Sequence, residues 1–195
     1  MPAYNATVLE PLLLKSTRGV ASRIRMFCYR LLGLRAGRHN RMEAGRCRRL
    51  SQIEIGDFNS FVEGCWLWPI DADYSGTRIQ IGSRNFFNRN LMIDACGRVE
   101  IGDENMFGPD IYITDSNHTF GEKLSPQALP MQVGTVRIGN YCWIGARAVI
   151  LKDVELGDYC VVAAGAVVTR SYPAGSVIAG VPAKLLQQLV PVAEY

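Results

Sequence analysis

Two histidines, His39 and His118, are the side chains of this 195-residue chain that ordinarily change charge near neutral pH, and their number bounds the chemistry. A three-histidine metal centre cannot be assembled within one such chain. Six cysteines, Cys28, Cys47, Cys65, Cys96, Cys142 and Cys160, lack the CxxC spacing of a thiol metal or redox pair. His39 lies among the arginines of Arg35 to Arg49. His118, in Thr114-Asp115-Ser116-Asn117-His118-Thr119-Phe120, stands at the edge of the longest break in an otherwise regular pattern.

That pattern must position whatever His118 does, and its period is six. Ile138, Ile144, Ile150, Leu156, Val162 and Val168 follow one another at six-residue steps, and two positions before each stands Val136, Cys142, Ala148, Val154, Cys160 or Ala166. A helix repeats at 3.6 residues and a strand at 2, so neither explains the comb as one long element. Short strands separated by turns do, with three strands closing an 18-residue triangular coil and an aliphatic residue from each pointing inward. Stacked coils then bury a core that no single repeat could bury alone. Ile55, Phe61 and Leu67 keep the same step, as do Ile81, Phe87 and Ile93, and Ile101, Phe107, Ile113 and Thr119 resume it after a slip. The expected fold is therefore all-β, a parallel β-helix of hexapeptide repeats.

Interruptions of the comb predict loops near 68–78 and 119–137, and loops on a rigid repeat body are favoured places for binding chemistry. The body is expected over residues 51–173. Before it, residues 1–50 hold 11 Arg or Lys against 2 Glu, a net of +9, whereas residues 51–195 hold 10 against 16, a net of −6. An amphipathic helix from about Val20 to Leu32 is expected, ending at Gly33. It either caps the first coil with its arginines in water or lies on an anionic membrane surface. After the body, residues 174–195 read as an extension with a short helix from Ala183 to Leu189.

Composition excludes several classes. Hydrophobic residues make up 48% and charged residues 20%, which argues against disorder. The overall charge of +3, without an aromatic stacking platform among the basic residues, does not point to nucleic acid. No run of about 18 apolar residues reads as a spanning helix, and no secretory signal order is seen. A cytoplasmic chain with free thiols is expected, with peripheral contact at the inner face of the membrane as an option.

The segments IGDENMFGPDIYI (101–113), IGNYCWIGARAVI (138–150), LGDYCVVAAGAVVTRSYP (156–173) and VIAGVPAKLL (177–186) resemble the hexapeptide-repeat acyltransferases, and within them the sugar and surface-polysaccharide O-acetyltransferases, including the galactoside and maltose acetyltransferase group. The resemblance implies a left-handed β-helix, a homotrimer with active sites between subunits, acetyl-CoA as acyl donor and no catalytic metal. It implies that His118 on the projecting catalytic loop is the general base, that Asn88 lines the catalytic and acceptor pocket, and that Asp94 and Asp115 bind the acceptor sugar. It implies that Trp143, Gly145, Ala163, Ala164, Arg170 and Lys184 meet the cofactor. Asp115 equally suits a turn whose backbone N–H groups need an acceptor, and Trp66, Trp68 and Tyr74 can stack on sugar or close an interface. The function implied is O-acetylation of a saccharide hydroxyl. Alternatives are N-acetylation of an amino or nucleotide sugar and a non-catalytic binding β-helix. A carbonic-anhydrase-like β-helix would need a third histidine.

Overall fold

A computed structural model describes residues 6–70, 76–120, 125 and 129–189, with side chains from residue 18 onward. The loop expected near 68–78 therefore lies partly outside the described residues, Tyr74 included, as do parts of the 119–137 loop and the last residues of the extension.

A helix, α1 (Ala6–Leu31), precedes six three-stranded coils. The coils are β1 to β3 (Arg35–Ala36, Arg41–Met42, Arg46–Cys47), β4 to β6 (Ile53–Ile55, Ser60–Phe61, Trp66–Pro69) and β7 to β9 (Ile79–Ile81, Phe86–Phe87, Met92–Ala95). Next come β10 to β12 (Arg98–Ile101, Met106–Phe107, Tyr112–Thr114) and the antiparallel arm of β13 and β14 (Ser116–His118, Met131–Val133). The last two coils are β15 to β17 (Thr135–Ile138, Trp143–Ile144, Val149–Ile150) and β18 to β20 (Val154–Leu156, Val161–Val162, Val167–Val168). A terminal pair, β21 (Ser176–Ala179) and β22 (Lys184–Gln188), closes the second sheet. The coils stack into a three-sided parallel β-helix whose faces are sheets of six, eight and six strands.

The comb is the core. All six residues from Ile138 to Val168, and the smaller residues two positions before them, are buried. In the earlier coils Phe61, Phe87 and Phe107 stack ring on ring at 4.5 and 4.7 Å in the core. Thr119, expected to continue the comb, instead lies beyond the arm and donates to the Pro130 carbonyl at 2.7 Å.

From the second coil onward, corners between the first and second sheets turn on a Gly-(Asp/Asn/Ser)-x-(Asn/Cys) pattern. The residue at x takes a left-handed backbone, with φ of 59° at Phe58, 57° at Tyr141 and 59° at Tyr159. Such a conformation is costly for bulky residues and persists only where surrounding bonds over-determine it. Here two side-chain ladders do so. Ser83, Asp103, Asn140 and Asp158 each accept from a backbone N–H in the coil below, at 2.7 to 3.0 Å. Asn40, Asn59, Asn85 and Asn105 form a second, buried ladder that continues to the Cys142 N–H at 2.7 Å. The glycine is required because a Cβ at Gly56 would stand 2.7 Å from the backbone C and O of Gly82 in the next coil.

Three boundaries differ from expectation. The helix begins at Ala6, earlier than Val20. The arginine-rich segment 35–49 itself forms the first coil, its arginines pointing outward around buried Met42. The expected C-terminal helix is instead β22, antiparallel to β21 with Ala179 opposite Lys184. Gly180 (φ 100°) reverses the chain there, and the open edge of β21 offers N–H and C=O groups that a strand can pair and a helix cannot.

Candidate functional site

The arm leaves the body where the third sheet turns toward the first. Its ladder pairs Ser116 with Val133, Asn117 with Gln132 and His118 with Met131, which places His118 at the outermost rung, exposed to solvent. Asp115 fixes the root. Its fully buried carboxylate accepts the Cys96 N–H at 2.8 Å and the Gly97 N–H at 2.9 Å, and its carbonyl accepts Gly134 N–H at 2.8 Å. Burial pushes the Asp115 carboxyl upward from the ordinary range, and the two backbone donors oppose that rise. Both its oxygens are thus engaged at the root of the arm.

Asp94 lies on β9, in register with Trp68 on one side and Thr114 on the other. Tyr112 donates its hydroxyl to Asp94 Oδ2 at 3.2 Å, while Oδ1 is buried without a partner among the described residues. Desolvation raises the Asp94 carboxyl and the Tyr112 bond offsets part of that rise. Because Thr114 is four residues before His118, this carboxylate and the histidine arm share one edge of the prism.

A second group lies on the corner between the second and third sheets. Asn88, Gly108, Gly145 and Ala163 each follow a second-sheet strand, and successive N–H groups bond one coil onward, Gly108 to Ile144 O at 2.8 Å and Gly145 to Val162 O at 2.7 Å. Asn88 is half-buried there, and its Oδ1 accepts the Arg89 N–H at 2.8 Å. Trp143 is more than half exposed just before this ledge, in a row with exposed Met106 and Phe86. Ala164 adjoins Ala163. Lys184 extends the ledge through its pairing with Ala179. Arg170 stands apart, at the corner from which the arm leaves but two coils further on, with its guanidinium 5.4 Å over the Tyr172 ring.

One chain therefore brings Asp94, Asp115 and His118 to one edge and Asn88, Trp143, Gly145, Ala163, Ala164 and Lys184 to another. His39 is remote from both groups, in the first coil, stacked on Phe58 at 4.7 Å. Sequence reasoning missed Tyr112 as a partner of Asp94. The signal was present, since the slipped fourth coil sets Tyr112 opposite Met92 and so diagonal to Asp94. Trp66 and Trp68 lie 5.4 Å apart on the same face, covered by Arg46 at 5.0 Å and Arg48 at 5.2 Å.

Residues 135–170 match the family described as bacterial transferase hexapeptide (six repeats). Nodulation protein L of Rhizobium meliloti (strain 1021) is 42% identical over 118 residues, 60% of this chain and 63% of that protein. Galactoside O-acetyltransferase of Escherichia coli (strain K12) is 32% identical over 68% of this chain and 64% of that enzyme. An inferred acetyltransferase of Dictyostelium discoideum is 37% identical over 68% of this chain and 69% of that protein. The chain thus spans less than two thirds of the length of the first two of these relatives. Among solved structures, AntD, an N-acyltransferase from Bacillus cereus in complex with dTDP and 3-hydroxybutyryl-CoA, superposes with a TM-score of 0.69 at 19% identity, covering 82% of this chain and 85% of that one. That likeness extends the shared fold over nearly the whole body.

Proposed function

This chain belongs to the hexapeptide-repeat acyltransferases, the family of left-handed parallel β-helices, and from that premise we propose that it transfers an acetyl group from acetyl-CoA to a hydroxyl of a sugar or saccharide in surface-polysaccharide biosynthesis. The observation that carries this reading is the placement of His118 and Asp94, an exposed imidazole on an arm that springs from the strand paired with the strand of Asp94, a half-buried carboxylate with one oxygen lacking a protein partner among the described residues.

A sugar hydroxyl is protonated near neutral pH and attacks a thioester poorly. In the proposed step neutral His118 takes the hydroxyl proton as the oxygen bonds to the thioester carbonyl carbon. The carbonyl π electrons move to oxygen, and the Asn88 amide is placed to donate to that oxyanion or to an acceptor hydroxyl. Collapse breaks the C–S bond, and the leaving CoA sulfur recovers the proton from the imidazolium. The products are an acetyl ester and free CoA, with no covalent enzyme intermediate. The Asp94 carboxylate, half-buried and held by Tyr112, is suited to orient the ring through a second sugar hydroxyl, and Trp68 offers an apolar face beside it.

Within one chain the histidine edge and the Asn88–Trp143 ledge lie on different corners. A homotrimer in which the arm of one subunit meets the ledge of the next would unite them, and the exposed row of Phe86, Met106 and Trp143 supports a subunit contact. The pantetheine arm would then run along Gly145, Ala163 and Ala164, with Lys184 near the phosphates. Arg170 is the weaker cofactor candidate because its guanidinium is already engaged with Tyr172, over the ring and to the hydroxyl at 3.2 Å. Six free thiols support a reducing, cytoplasmic setting.

The test is CoA thiol release from acetyl-CoA with a panel of neutral, nucleotide-linked and amino sugars. Hydroxyl acceptors giving an alkali-labile product, with turnover lost in His118→Ala, support the proposal. Turnover with amino sugars alone would shift it to N-acetylation. Absence of acetyl-CoA binding by calorimetry in the folded protein would remove it.

A further inference from the structure

Helix α1 serves the β-helix with one face and leaves the opposite face unused. Ser22 and Met26 are buried against the first coil, where Ser22 Oγ accepts the Met42 N–H at 2.8 Å, and Tyr29 donates to the Gly45 carbonyl at 3.2 Å. At 100° per residue, Val20, Ile24, Phe27 and Leu31 fall on a single line roughly opposite that face. All four are more than half exposed, Leu31 reaching 72%. Apolar residues at this spacing are ordinarily buried, so the stripe wants a cover.

Charge identifies the cover. Arg23 and Arg30 run along one border of the stripe. Beyond them a cleft of about 590 Å³ opens between α1 and the first coil, lined by Arg23, Arg30, His39 and Arg41. Arg23, Arg38 and Arg41 have no side-chain ion-pair or hydrogen-bond partner among the described residues, unlike Arg18, Arg25, Arg30 and Arg35, which are bonded to the body. The helix and first coil together carry most of the basic excess of the chain, whereas the remaining coils are acidic on balance. A second copy packed on this stripe would set two sets of unpaired arginines against each other. An anionic lipid surface meets both features at once, acyl chains under the stripe and headgroup phosphates at the arginines. No helix among the described residues is long and apolar enough to cross a membrane, so the geometry is that of a helix lying in the interface.

We propose that the outer face of α1, Val20, Ile24, Phe27 and Leu31, bordered by Arg23 and by Arg41 of the first coil, docks this protein on anionic phospholipid membranes with the first coil toward the lipid. The docking goes beyond the acyl transfer proposed above and does not depend on it.

The experiment is co-sedimentation of the full chain with phosphatidylcholine vesicles, with and without roughly 30% phosphatidylglycerol. The wild type binds the anionic vesicles at least about tenfold better than the neutral ones, and ~0.5 M salt weakens that binding. Phe27→Asp and the double variant Arg23→Gln/Arg41→Gln each lose binding about fivefold or more, with unchanged melting temperature because these side chains are exposed. Equal binding to both vesicle types, or variants that bind as wild type, overturns the proposal. So does a Phe27→Asp protein whose mass by light scattering falls relative to wild type, which would make the stripe a contact between copies. Thiol release from acetyl-CoA is expected to survive Phe27→Asp in detergent-free solution, which separates this result from failure of the enzymatic reading.

Discussion

Tyr112 donates its hydroxyl to one oxygen of Asp94 at 3.2 Å while the other carboxylate oxygen is buried with no protein partner among the described residues. Buried polar atoms are rarely left unpaired, because desolvation costs free energy that only a hydrogen bond returns. On this face Tyr112 orients the carboxylate, which stands in register with Trp68 on a strand paired with the one from which the His118 arm springs.

This pair yields a pH dependence. Burial raises the folded-state pKa of Asp94, so the folded protein holds that proton to higher pH than the unfolded chain. Its contribution to stability is then present at low pH and lost as pH rises through the folded value, and the neutral-pH carboxylate is a cost to the fold. Asp94→Asn is therefore expected to melt no lower than wild type at neutral pH, by calorimetry. Acceptor binding has the opposite sign. KM for the sugar is expected to rise in wild type on acidification through the upper carboxylate range and to remain flat, but high, in the Asn variant.

His118→Ala is expected to lower kcat by about 10²- to 10⁴-fold, the usual worth of a positioned general base. Since His118 is exposed at the end of the arm ladder, the variant should keep its melting temperature and its acetyl-CoA affinity. Stopped-time thiol release and calorimetric titration on one preparation check both halves. A variant that still turns over at the wild-type rate would assign the base elsewhere.

Asp115 makes a contrasting case. Its two oxygens accept the Cys96 and Gly97 N–H groups at the root of the arm, and an asparagine offers only one acceptor and a second donor there. Asp115→Asn should leave a buried N–H unpaired and cost about 1–3 kcal/mol of stability by chemical denaturation. Any loss of turnover should come through disorder of the arm and so be partly recovered at lower temperature, unlike that of His118→Ala.

The six-residue comb made the body legible because core burial and repeat period are the same signal. Ile144, Ile150 and Val162 are inward for the reason their spacing gave. The first coil was hidden because its inward positions hold Leu34, Asn40, Met42 and Cys47, a set without aliphatic regularity, amid arginines that read as a tail. The Asn40–Asn105 ladder escaped because an asparagine before a strand looks like turn chemistry until the coils are stacked. β22 was misread because Ala183 to Leu189 has helical propensity, and the open edge that overrides it exists only in three dimensions. Of the site, His118 and Asp94 could be named from sequence, but their common edge with Tyr112 required the register.

Gly145 tests whether the ledge is shaped by its ligand or by the fold. Family resemblance assigns this glycine to the path of the pantetheine arm, where a small residue leaves room. The coils supply a separate reason, since a Cβ there would stand 2.5 Å from Ala164 N and 2.8 Å from Val162 O, both backbone atoms that cannot swing aside. Gly145→Ala must therefore spread two coils at a hydrogen-bonded corner, and overpacking of this kind costs about 1–3 kcal/mol. The expected outcome is a lowered melting temperature even without any nucleotide, together with a weaker response of that temperature to acetyl-CoA. Were ligand room the sole reason, the unliganded variant would melt with the wild type and only the acetyl-CoA response would fall.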